Sequence, residues 1–119
     1  MKFEDAQKVA RIVETAEGGC GGCTEAATKM LNEEFPQFFW QMVEMEGHSP
    51  SIFVSKGREA NKNKCKAFEE SINALGPKPD SYIQCGQKNE KWLDWCIKYN
   101  NIARQFGRRE YDYPTGQLK

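Results

Sequence analysis

The chain has 119 residues, 39% of them apolar and 29% charged, with 17 basic residues against 17 acidic ones. That length suits one domain with its own core, and the three Trp, four Tyr and seven Phe argue against disorder. A formal net charge of zero excludes wholesale binding to nucleic acid or anionic membrane by charge alone. No run approaches the roughly 18 apolar residues of a membrane span, so no membrane partner is expected.

The first residues, Met1-Lys2-Phe3-Glu4-Asp5, carry acids where a signal peptide needs an apolar run. A cytoplasmic, intracellular protein is the expectation. Residues 4–16 then read as a helix, with Ala6, Val9, Ile12, Val13 and Ala16 as its apolar stripe and Gly18-Gly19 as its end.

Glu17-Gly18-Gly19-Cys20-Gly21-Gly22-Cys23-Thr24 is where the composition departs from that of a helical protein. Two cysteines stand two residues apart inside four glycines. A loop that turns two sulfurs the same way needs backbone angles that a Cβ resists and glycine accepts. A helix starting just after it puts positive amides near both sulfurs and favours thiolate over thiol. Thiolate binds metal and attacks disulfides. Cys20 and Cys23 are therefore read first as half of a structural zinc site. A redox-active dithiol and a glycine-rich turn with two idle thiols are the alternatives.

Residues 24–35 read as a second helix, N-capped by Thr24, with Ala26, Ala27, Met30, Leu31 and Phe35 on its buried side and Pro36 as its stop. From Pro36 to Gly47 the aromatic run fits a short helix with Phe39, Met42 and Val43 on one face, which is the preferred reading. It also fits a strand with Phe38, Trp40 and Met42 on one side. Gly47-His48-Ser49-Pro50-Ser51 is a turn, Ile52-Phe53-Val54 is extended, and residues 58–75 form a helix with Cys65, Phe68, Ile72 and Leu75 on one stripe. Residues 81–89 are loop or short strand. Residues 90–106 form the strongest helix, with Trp92, Leu93, Cys96, Tyr99, Ile102, Ala103 and Phe106 on a wide apolar face and Gly107 at its end.

The fold expected is mainly α, with four to five short helices in one compact domain over residues 1–107. A small two-stranded element could join 52–54 to 82–84. Residues 108–119 are expected to be an extended, partly mobile tail.

Five cysteines, an odd number without an export signal, disfavour a disulfide framework. A closed zinc site needs four ligands. Cys85, followed by Gly86 in a loop, is the third candidate after Cys20 and Cys23. Cys96 is taken as the fourth, with Cys65 and His48 as alternatives. Cys65 and Cys96 lie on apolar helical faces, where cysteine also serves as plain packing. Basic residues cluster at Lys56, Arg58, Lys62, Lys64 and Lys66, and again at Arg104, Arg108 and Arg109. They could face phosphates or an acidic protein, or simply water. No hydrolase or nucleotide-binding motif is present.

Two stretches carry a family resemblance. Cys20-Gly21-Gly22-Cys23-Thr24-Glu25, with Pro36 closing the next helix, resembles the redox-centre helix of Erv-type FAD-linked sulfhydryl oxidases. Cys96-Ile97-Lys98-Tyr99-Asn100-Asn101-Ile102, with Phe106-Gly107-Arg108 and Tyr111-Asp112, is similar to the segment that packs on the flavin adenine in that family. Tyr99 stands where the family has histidine, and Ala103 where it has a second asparagine. The resemblance implies FAD as cofactor, Cys20 and Cys23 as the dithiol beside the isoalloxazine ring, and Asn100 as a flavin contact.

The leading functional expectation is a protein-interaction module of adaptor or inhibitor type, stapled by a cysteine-based zinc site and binding a protein partner. A thiol oxidoreductase working through Cys20 and Cys23 is the alternative, and a nucleic-acid-associated accessory protein the third.

Overall fold

The structure is a computed structural model and describes residues 1–81 and 89–119. Among them are four helices and two short antiparallel hairpins, so the chain is mainly α with a small β component, as expected. Contacts divide it into two units, Met1–Ala67 and Phe68–Lys119. No helix among the described residues is long and apolar enough to cross a membrane.

The first unit contains α1 (Phe3–Ala16), α2 (Gly21–Glu34), β1 (Phe39–Val43), β2 (Ser51–Ser55) and the opening turns of α3 (Arg58–Leu75). Ala6, Ala10, Leu31, Phe38, Trp40, Ile52 and Val54 form its core, with Phe3, Val9, Val13 and Phe35 packed around them. The buried stripe of α1 is Ala6, Ala10 and Glu14, and Ile12 is 66% exposed, contrary to the predicted stripe. Two alanines four residues apart let the helix lie close to β2. The Glu14 carboxylate then accepts the Ile52 N–H, which offsets its burial. On α2 the buried residues are Thr24, Thr28 and Leu31, while Met30 is 63% exposed instead of buried.

Residues 39–43 form a strand, which overturns the preferred reading of a helix from Pro36. β1 pairs antiparallel with β2 from Phe39↔Ser55 to Val43↔Ser51. The reason is tertiary. A β-branched partner strand lies within one turn of chain, and the Asn32 amide receives the outward backbone of Trp40, donating to its C=O and accepting its N–H, each at 2.9 Å. Aromatic and β-branched side chains suit such a pleated, half-buried surface. The partner found for 52–54 is 39–43, and residues 82–84, the expected partner, lie outside the described residues.

The outer edge of β2 is partly engaged by side chains. Glu14 holds the Ile52 N–H, and Lys64 Nζ donates to the Val54 C=O at 2.9 Å. Asn61, wholly buried, donates to the Phe53 C=O at 3.1 Å and accepts from Ser55 Oγ at 2.9 Å.

The second unit holds the rest of α3, then α4 (Glu90–Gln105), β3 (Tyr111–Asp112) and β4 (Gln117–Leu118). Asn89 caps α4 by accepting the Trp92 N–H at 3.1 Å. Trp92, Trp95 and Tyr99 stack along one face of α4, and Tyr111 closes over all three at centroid distances of 5.4, 5.7 and 4.8 Å. The C-terminal residues form a hairpin, and Tyr111 in it is buried.

Asn100 fastens that hairpin to α4. Its amide donates to the Tyr111 C=O at 3.0 Å and its carbonyl accepts the Tyr111 N–H at 2.7 Å. Asn100→Ala leaves both backbone groups without their partner and is expected to cost about 1–3 kcal/mol, read as a shift in denaturation midpoint. A change within error would mean that the pair contributes nothing.

Candidate dithiol site

The site is built where α1 stops and α2 starts. Gly18 and Gly19 adopt φ of +60° and +84°, a conformation costly for residues with a Cβ, and so reverse the chain within a few residues. Cys20 then sits at the N-cap of α2 with extended backbone angles. The helix begins at Gly21, three residues before the predicted cap. Cys20 Sγ accepts the Cys23 N–H at 3.3 Å, the bond that a serine or aspartate makes at other helix starts. Thr24 is not the cap. It is buried and donates its hydroxyl to the Cys20 C=O at 2.7 Å, while its own carbonyl accepts from Thr28. These bonds hold the Cys20 backbone from below and leave both sulfurs exposed.

The two thiols are electrically unlike. The Cys20 pKa is lowered from the ordinary thiol value. The Cys23 thiol donates a hydrogen bond to it, and the N–H groups of Cys23 and Gly22 point at the same sulfur. The Cys23 pKa is raised, because its proton is held by Cys20 and because a second negative charge beside the Cys20 thiolate is repelled. Glu17 opposes ionisation of both. Cys20 should therefore lose its proton at lower pH than Cys23. A pH series of iodoacetamide labelling, read by peptide mass, should show Cys20 reacting at lower pH than a free cysteine peptide, with Cys23 lagging behind it. Equal profiles for the two cysteines would remove this asymmetry.

Two neighbours went unnoticed in the sequence. A Cβ on Gly21 would lie 2.7 Å from Glu44 Oε1, so the Glu44 carboxylate rests directly on the loop. The β1–β2 turn also comes close, with Ser49 Oγ 3.7 Å from the Cβ position of Gly19. No local pattern points to Glu44, which reaches the loop only because residues 39–43 form a strand.

Other sequence candidates go elsewhere. Cys65 is buried on α3. Cys96 is buried on α4, with its Sγ near the Tyr111 C=O and the Asn100 amide, and burial raises its pKa. Cys85 lies outside the described residues. His48 lies in the β1–β2 turn, where its N–H donates to Met45 O at 3.0 Å. Among the described residues no three His, Cys, Asp or Glu side chains gather closely enough to hold a metal ion. The residues placed here thus supply Cys20 and Cys23 toward zinc but no third ligand. The fit to FAD is also poor along α4. Both polar ends of Asn100 are taken by Tyr111, and Tyr99 is packed between Trp95 and Tyr111, so a flavin contact there would require the hairpin to open.

The basic residues are partly used within the fold. Lys64 bonds Val54 and lies over the Phe3 ring, Arg58 lies over Phe39, and Arg104 pairs with Glu110, leaving Lys56, Lys62 and Lys66 exposed. Compared with protein-family models, with curated proteins and with solved structures, the chain matches none.

Proposed function

We propose that the protein is a thiol–disulfide oxidoreductase whose reacting groups are Cys20 and Cys23. The observation that carries this reading is the placement of an exposed Cys20 sulfur at the N-cap of α2. There it receives the Cys23 amide at 3.3 Å, with the exposed Cys23 one turn further along the helix.

The chemistry follows from the asymmetry. The Cys20 thiolate attacks one sulfur of a client disulfide, forming a mixed disulfide and expelling the other client sulfur as thiolate, which takes up a proton. Cys23, after losing its proton to solvent, attacks Cys20 Sγ. A Cys20–Cys23 disulfide forms and the second client thiolate leaves. The client gains two electrons and two protons, and the protein dithiol is oxidised by the same two electrons. Run backwards, the oxidised loop oxidises a client dithiol. Amides of the α2 start stabilise the Cys20 thiolate in both directions.

The reduced protein is to be incubated with 2-hydroxyethyl disulfide, a small neutral probe, and followed by intact mass. Loss of two hydrogens, mapped to a Cys20–Cys23 bond, is the expected result. Labelling of either cysteine at the rate of a free peptide thiol, with no intramolecular disulfide formed, would overturn the reading.

The adjacency of the two sulfurs also favours a second reading, an interaction module in which they form a zinc half-site completed by Cys85 or by a protein partner. Stoichiometric zinc in the purified protein, with melting lowered by chelator, would select it.

A further inference from the structure

A groove of about 790 Å³ opens at Gly22, between the two cysteines, and runs between α2 and β1. Ala26 and Met42 give it an apolar floor over the buried Trp40, and Glu25, Lys29 and Glu33 line its helical wall. The other wall is the outer edge of β1. In an antiparallel pair, alternate residues turn their N–H and C=O away from the partner strand, here Trp40 and Met42. Asn32 takes up those of Trp40. Those of Met42 have no partner among the described residues, while on β2 Glu14 takes the Ile52 N–H and Lys64 the Val54 C=O. The sheet therefore keeps one strand-like donor and acceptor on the side of the groove.

Acids outnumber bases along it: Glu25 and Glu33 line it against the single base Lys29, and Glu44 stands at Gly21 beside its mouth. Glu25, Glu33 and Glu44 form no ion pair among the described residues, and Glu44 rests on the dithiol loop itself.

Taking the dithiol reading as its premise, we infer that this groove seats the client as an extended, cationic polypeptide segment that pairs with the β1 edge at Met42 and presents its disulfide to Cys20. The free backbone pair recognises main chain, the apolar floor takes a side chain, and the glutamates select lysine or arginine beside the client cysteine. Small anionic disulfides are disfavoured by the same field.

The test compares peptide disulfides whose cysteine is flanked by lysines or by glutamates, with 2-hydroxyethyl disulfide as the neutral reference. The rate of Cys20–Cys23 disulfide formation is the readout. The lysine peptide is expected to react about tenfold faster than the glutamate peptide at low ionic strength, with the gap closing as salt is added. Glu25→Gln combined with Glu33→Gln should shrink the gap, and N-methylation of the lysine peptide backbone should slow it. If the neutral reference reacts but the two peptides react alike, or the glutamate peptide is faster, this inference is overturned and the dithiol reading stands. If the neutral reference forms no Cys20–Cys23 disulfide, both fall together.

Discussion

Cys20→Ser is expected to abolish the two-electron exchange that ends in a Cys20–Cys23 disulfide, while the protein melts as the parent does. Serine is among the preferred residues at a helix N-cap, and its Oγ can accept the Cys23 N–H as the sulfur does, so the α2 start survives. The exposed side chain removes no core contact. The poised nucleophile, however, is gone, and Cys23, released from the Cys20 contact and charge that raise its pKa, is left as an ordinary thiol with no second thiol beside it to close a disulfide. Cys23→Ser should behave differently. Cys20 still attacks, and the mixed disulfide then accumulates because nothing resolves it. Intact mass should show a client adduct forming faster on Cys23→Ser than on Cys20→Ser. The reverse assignment, or turnover by the Cys20 variant, would sink the proposed roles. Under the zinc reading, both substitutions would instead lower the melting temperature together, because each removes a ligand from a structural site.

The second large effect is on stability. Trp40→Ala is expected to destabilise the first unit by about 3–5 kcal/mol, a large part of the roughly 5–15 kcal/mol typical of a whole domain. Trp40 is 1% exposed and fills the space between α2 and the sheet. Its ring meets Phe38 edge-on at 6.2 Å and Phe35 at 6.1 Å, and its indole N–H points to the Phe35 C=O at 3.4 Å. Alanine leaves a cavity that two backbone bonds to Asn32 hold open. Trp40→Phe keeps an aromatic ring there and should cost clearly less. Urea denaturation followed by far-UV circular dichroism would measure both. A loss below 1 kcal/mol for the alanine variant would mean that the ring is not a core member.

Helix periodicity was legible for α1, α3 and α4, whose ends lie within a residue or two of the expected ones. Capping residues and glycines punctuate those segments locally, and a long amphipathic stripe needs only one apolar neighbour. The dithiol loop was legible for the same reason: four glycines around two cysteines are a local statement about backbone freedom. The aromatic run from Phe38 to Met45 was not, because periods of two and of 3.6 both fit so short a segment. Its choice depended on pairing with β2 and on the Asn32 amide, contacts that the periodicity of the segment itself does not encode.

The amino-acid sequence alone thus determined that this is a helical protein with a thiol pair between its first two helices, since both follow from residues close together in the chain. Only the tertiary structure decided which carboxylate from β1 onward stands near the thiol pair, and that a groove with an unpaired strand edge runs beside α2. Each of those depends on a strand packing against α2, and side chains far apart in the chain acquire a common environment only once it has folded.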